Sequence, residues 1–190
     1  MGAGLVERGA VLIDADRIVR DLQQPGEPVF EAMVQRWGQA IVAPDGTLDR
    51  ARVAGVVFND ADELAALNAI VHPAVGEEMA ERRATAATEQ PGAVVVLDIP
   101  LLVRPGGEPI AERYRDLSGI VVVDADPETA VRRLVAQRGL SVRDARARIA
   151  RQADRESRLA VADFVIDNGG TLAQLEPQID ACYRWAASLD

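Results

Sequence analysis

Three carboxylate-bearing positions and one histidine carry most of the chemistry this 190-residue sequence offers. Val95-Val96-Leu97-Asp98 is an apolar run ending in an aspartate. In enzymes that move phosphoryl groups, such a carboxylate holds magnesium directly or through water; strand-end aspartates also cap the helix that follows. Asp14-Ala15-Asp16 puts two more carboxylates just past another apolar run. Phosphoryl transfer to an alcohol needs a group that takes the hydroxyl proton, and Asp16 has the right chemistry. It equally suits a helix N-cap or an ion pair with Arg20, four residues on. His72, followed by Pro73, is the only histidine, which excludes a multi-histidine metal site and is compatible with a hydrogen-bonding group at a helix end.

The basic residues are all arginine; the chain has no lysine to serve as Schiff-base former, general base or phosphate clamp. Nine of the 21 arginines lie between Arg132 and Arg158, against three acids there, whereas the rest of the chain carries twelve against 27. A cationic stretch in a chain of net charge −9 invites an anionic ligand, since the guanidinium fork matches phosphate oxygens. Two solvated helix faces, with Asp154 and Glu156 paired locally, explain the same composition. The overall negative charge argues against nucleic acid as a partner. One cysteine, Cys182, leaves no disulfide framework and points to a reduced, cytoplasmic setting; no apolar run approaches the ~20 residues of a membrane span, and no signal peptide is visible at the start.

The elements that must position these residues alternate. Ala10–Ile13, Ala93–Leu97, Gly119–Val123 and Asp163–Ile166 read as strands, the first three as continuous runs suited to burial on both faces of a parallel sheet. Asp14, Asp98, Asp124 and Asp167 follow them, at the edge where open α/β sheets bind ligands. Asp126-Pro127 starts a helix that Gly139 ends, Ser141 to Asp144 resembles a capping box, and a last helix spans about Leu172–Ala187, with Pro177 as a break or late start. Between the first two strands, helical stretches near Phe30–Trp37, Asp49–Phe58, Asp62–Val71 and Val75–Thr88 form a strand-free block, with a turn at Pro44-Asp45-Gly46.

In order, Asp14-Ala15-Asp16, Gly38, Asp45-Gly46, Leu48-Asp49-Arg50, Val57-Phe58, His72-Pro73, Asp98-Ile99-Pro100-Leu101-Leu102, Gln137-Arg138-Gly139, Arg148 to Gln152 and Ala162-Asp163 to Asn168 resemble the dephospho-coenzyme A kinases from end to end. The resemblance implies an α/β fold of the P-loop NTPase class: a parallel sheet like that of nucleoside monophosphate kinases in one domain over 1–190, with a helical substrate-binding insertion at about 25–90 and a lid at about 132–158. It implies transfer of the γ-phosphoryl of ATP, with Mg2+, to the ribose 3′-hydroxyl of dephospho-coenzyme A. Asp16 would be the base, Asp98 would place magnesium and Arg138 would stabilise the transferring group. Gln152 and Asn168 would face ATP; Arg20, His72, Leu101 and Leu102 would face the acceptor.

Two departures accompany the likeness. Arg104 stands where the family often has a glutamate soon after Pro-Leu-Leu. The Gly-rich G-x-x-x-x-G-K-S/T loop, whose backbone amides and lysine grip phosphates, has no counterpart here. By the family's spacing Met1 falls about three positions past that lysine, which implies a misplaced gene start or a shortened chain. It also implies loss of the central strand between those ending at Asp98 and Asp124. Unpaired strand edges favour aggregation, and each buried unpaired group costs ~1–3 kcal/mol, so the expectation is a chain that folds poorly alone and has impaired activity. A non-catalytic remnant that binds dephospho-coenzyme A, and another small P-loop kinase, are the competing readings.

Overall fold

A computed structural model describes residues 1–103, 114–150 and 152–189; Arg104 lies outside them. The chain divides into two compact units, one of residues 13–99 and one of residues 1–12 with 100–190.

The first unit carries strand β1 (Val11–Asp14, which begins just before the boundary), helices α2 (Ala15–Leu22), α3 (Pro28–Trp37), α4 (Arg50–Val57) and α5 (Ala61–Glu89), and strand β2 (Val95–Asp98). β1 pairs with β2 in a two-stranded sheet. Val29, Met33, Ile41 and Val71 form its buried core, with Val19, Leu22 and Leu67 packed around them. Glu63 joins α3 to α5 by accepting from Trp37 Nε1 at 2.7 Å and from Arg36 Nη2 at 2.8 Å. Asp45 accepts from the amide and hydroxyl of Thr47, which closes the turn between Val42 and Leu48.

The helical stretches expected at 62–71 and 75–88 are one helix, α5, of 29 residues running through Pro73. A proline inside a helix deletes one amide donor and crowds the carbonyl four residues back, but it need not end a helix held by packing on both sides. Val71 and Met79, both buried, supply that packing. His72 is therefore an exposed mid-helix residue rather than a helix end.

The second unit holds α1 (Gly2–Val6), β3 (Val121–Asp124), α6 (Pro127–Arg138), α7 (Val142–Ile149), α8 (Arg155–Ala160), β4 (Phe164–Asp167) and α9 (Leu172–Ala186). β3 and β4 run parallel, with Val121 opposite Phe164 and Asp124 opposite Asp167. Arg8 ties α1 to α9 through Glu176 at 2.8 Å and Asp180 at 2.5 Å. Gly119 lies against Trp185, whose ring would stand 2.7 Å from any added Cβ, so a side chain there must displace the indole.

Each sheet among the described residues has two strands, so β2 has β1 alone and β3 has β4 alone as hydrogen-bonded partner. The expectation of strands buried on both faces is corrected accordingly. β2 has no fully buried residue, and Val123 in β3 is 38 % exposed. Each strand-end aspartate is the last residue of its strand rather than the residue after it. α9 is likewise unbroken: Thr171 and Gln174 form a reciprocal capping box, and Pro177 lies within the helix. Ser141 caps α7 by accepting from the Asp144 amide, but the return bond runs from its own hydroxyl to Asp144 at 2.7 Å.

Candidate active site

In the first unit, Asp14 ends β1 and begins α2. Its carboxylate accepts from the Arg17 amide at 2.9 Å and so serves as the N-cap. Asp16 is thereby released from that role. It lies in the first helical turn, exposed, and pairs with no arginine among the described residues; the ion pair on this helix joins Arg17 to Asp21 instead, at 4.0 Å. Neither of the two structural roles open to Asp16 in the sequence is therefore realised. Arg20 is exposed and in no ion pair among the described residues, and its carbonyl accepts from Gln24.

Asp98 ends β2 beside these acids. Asp98 is exposed at the strand end, yet partial desolvation first, then the neighbouring charges of Asp14 and Asp16, push its carboxyl above the usual aspartate range. One acidic corner of the unit thus holds an N-cap, an unpartnered carboxylate and a carboxyl raised above its usual range. No three His, Cys, Asp or Glu side chains among the described residues converge enough to cage a metal ion. A magnesium ion keeps several waters and needs only one or two carboxylates together with substrate phosphates. Asp98 is the side chain that would hold it. His72, on α5, has its interactions within the fold and stands exposed.

In the second unit, Leu101 is 60 % exposed and Leu102 half-buried in the turn after β2. Arg138 is the last residue of α6, which Gly139 closes in the left-handed conformation at φ 65°. It is exposed and makes no hydrogen bond or ion pair among the described residues. Gln152 is exposed in the turn before α8, and Asn168 follows β4 half-buried.

Two arrangements in this unit escaped the sequence reading. Asp124, 5 % exposed, ends β3 and accepts from Arg155 Nε at 2.9 Å and Nη2 at 2.7 Å. This fork-on-carboxylate pair raises the Arg155 guanidinium further and neutralises a carboxylate that burial would otherwise penalise. The strand-end position marked Asp124 and the arginine-rich stretch contained Arg155, but nothing in spacing joined them. The local pairing expected for Asp154 is corrected: Asp154 caps α8 through the Ser157 amide and hydroxyl, which holds its carboxyl below the usual range. The second arrangement is Arg133 on α6, which donates to the carbonyls of Asn168 and Gly170 at 2.5 and 2.9 Å. No sequence signal marks it, because its partners are backbone atoms 35 and 37 residues away.

Comparison with known proteins places these residues in context. The family model for dephospho-CoA kinase matches residues 2–174. A dephospho-CoA kinase of Streptomyces avermitilis is 50 % identical over 175 residues, covering 92 % of this chain and 81 % of that protein. One from Corynebacterium glutamicum is 45 % identical over 174 residues, covering 92 % and 84 %. Among solved structures, TT1252 from Thermus thermophilus superposes with a TM-score of 0.76 at 31 % identity, over 96 % of this chain and 88 % of that one. A dephospho-CoA kinase from Campylobacter jejuni shares the fold, with a TM-score of 0.67 at 22 % identity, over 98 % and 91 %. With more than nine-tenths of its length matched by the family model and half of its aligned residues shared with a relative, the chain belongs to the dephospho-CoA kinase family of enzymes.

Proposed function

We propose that this chain carries the acceptor-activating half of a kinase that transfers the γ-phosphoryl of ATP to the ribose 3′-hydroxyl of dephospho-coenzyme A, the last step of coenzyme A synthesis. The observation that carries the reading is Asp16: an exposed carboxylate at the start of α2, relieved of capping by Asp14 and of ion pairing by the absence of a partner among the described residues. An aspartate not engaged in structure is available to accept the proton of the attacking hydroxyl and to align its oxygen. Asp98 would hold Mg2+ through water. A bound magnesium ion would neutralise charge developing on the phosphate oxygens. It would also offset the partial desolvation and neighbouring carboxylates that raise the Asp98 carboxyl.

Arg138 has the chemistry for the transferring group, since an unpaired guanidinium at a helix end can place its fork on phosphoryl oxygens. Gln152 and Asn168 would lie on the ATP side. Arg20, His72, Leu101 and Leu102 would line the acceptor side, the first two suited to its phosphates and the leucines to its apolar parts. The helices at 25–90 would form the substrate-binding insertion and the stretch at 132–158 the lid. The free, buried Cys182 agrees with a reducing cytoplasm, and no helix among the described residues is long and apolar enough to cross a membrane.

The 190 residues contain no lysine and no G-x-x-x-x-G-K-S/T loop, and each described strand has one partner strand. Transfer without such a loop would be impaired, since backbone amides and a lysine normally grip the phosphates. The same absence favours a second reading, a module that binds dephospho-coenzyme A without phosphorylating it. The test is to mix ATP, Mg2+ and dephospho-coenzyme A with the chain as given and with the chain preceded by its in-frame upstream codons. Equimolar ADP and coenzyme A from the extended protein supports the kinase. Dephospho-coenzyme A binding without product from either form favours the module.

A further inference from the structure

The turn after β4 is tied down by several hydrogen bonds. Asp167 exchanges two hydrogen bonds with the Gln178 side-chain amide, at 2.8 and 2.9 Å. The Asn168 amide donates to the Asp124 carbonyl at 2.7 Å, and the Gly169 amide to the Asp167 carboxylate at 2.7 Å. Arg133 closes the arrangement, with one guanidinium nitrogen on the Asn168 carbonyl and another on the Gly170 carbonyl. A planar fork spanning two carbonyls fixes both position and tilt, which the point charge of a lysine cannot do. Against this rigid backbone the Asn168 side chain, half-exposed, forms no hydrogen bond among the described residues. A carboxamide offers a donor and an acceptor side by side, the pattern complementary to the amino group and adjacent ring nitrogen of adenine.

We infer that Arg133 is a positioning residue for the nucleotide: by fixing the 168–170 backbone it aims the Asn168 carboxamide at the edge of the purine base, so that ATP is preferred over GTP. This rests on the ATP-side placement of Asn168 proposed above. A simple helix-to-turn staple would make the same two bonds but would have no bearing on which base is bound.

The test is calorimetric titration of the full gene product with ATP, GTP and dephospho-coenzyme A, for the wild type, Arg133→Ala, Arg133→Lys and Asn168→Ala, with Tm recorded for each. Loss of a charge-assisted hydrogen bond predicts about tenfold weaker ATP binding in Arg133→Ala. The preference for ATP over GTP should fall toward one, while dephospho-coenzyme A affinity is kept. Arg133→Lys should recover part of the preference. Asn168→Ala should lose it without touching the backbone contacts, and it carries the test if Arg133→Ala fails to fold. Unchanged ATP affinity in Arg133→Ala, or a wild type that binds both bases equally, overturns the inference while leaving the kinase reading intact. So does equal weakening for all three ligands together with a lower Tm. A wild type that binds dephospho-coenzyme A but no nucleotide defeats the kinase reading and this inference with it.

Discussion

The acidic corner of the first unit and the charged network of the second use the same side chains to opposite ends. At Asp124 a buried carboxylate meets a fork of two arginine nitrogens and its charge is cancelled. At Asp16 and Asp98 no arginine among the described residues answers the charge, and partial desolvation and the neighbouring acids raise the Asp98 carboxyl. Natural folds rarely leave carboxylates crowded and unpaired unless something else brings the compensating charge. A magnesium–nucleotide complex would bring it. The contrast separates residues that hold the fold from residues the fold holds ready, and it can be broken from either side.

The largest expected effect is on catalysis without stability. Arg138→Ala removes a guanidinium that makes no bond among the described residues, so Tm should stay within measurement error while kcat of the extended enzyme falls by about 10³-fold, the lower end for arginines acting on a transferring phosphoryl. Stopped-assay kinetics beside a thermal melt check both halves. The mirror image is Arg155→Met, which strips the partner from buried Asp124 and should cost about 1–3 kcal/mol of stability in urea unfolding. The side chain of Arg155 is 54 % exposed, so solvent screens part of the loss.

These pairings also mark what a reader of the sequence can reach. The caps at Asp126, Ser141 and Gly139 are legible because capping is local, decided within four residues. The strand-end aspartates are legible because apolar runs and their acidic ends adjoin. Pro73 and Pro177 mislead, since a helix tolerates one lost amide donor when its flanks are packed, and packing is not local. The choice between capping, pairing and chemistry at Asp16 is likewise closed in sequence. It opens only once Asp14 is seen to take the cap and Arg20 to stand apart from any ion pair among the described residues. Arg133 is beyond any pattern, because backbone carbonyls are present at every residue.

Smaller effects sharpen the same comparison. Asp126 caps α6 through the amides of Glu128 and Thr129 and the Thr129 hydroxyl, which together hold its carboxyl low. Asp126→Ala should lower the Tm at neutral pH. A carboxyl lowered by folding contributes stability above its unfolded value and loses it as pH falls through its folded value. The variant and the parent should therefore converge in strongly acidic buffer. Asp98 has the opposite sign. Its carboxyl is raised by folding, so the proton it binds favours the native state at low pH, and that contribution is lost as pH rises through the folded value. At neutral pH Asp98→Asn should thus stabilise the ligand-free protein, by roughly 0.5 kcal/mol for a partly exposed charge, while the Mg2+ dependence of transfer weakens. A stability gain paired with a functional loss is the signature of a group held ready.

The most direct measurement is on Asp16. Its place in the first turn of α2 gives it a helix-dipole contribution of under about 1 kcal/mol, so Asp16→Asn should leave the melt nearly unchanged. Removing a base that accepts the hydroxyl proton should lower kcat by about 10²- to 10⁴-fold, with the KM values for ATP and dephospho-coenzyme A little altered. An Asp16→Asn enzyme that keeps wild-type kcat across pH, or one that loses activity only in step with its Tm, would contradict the account.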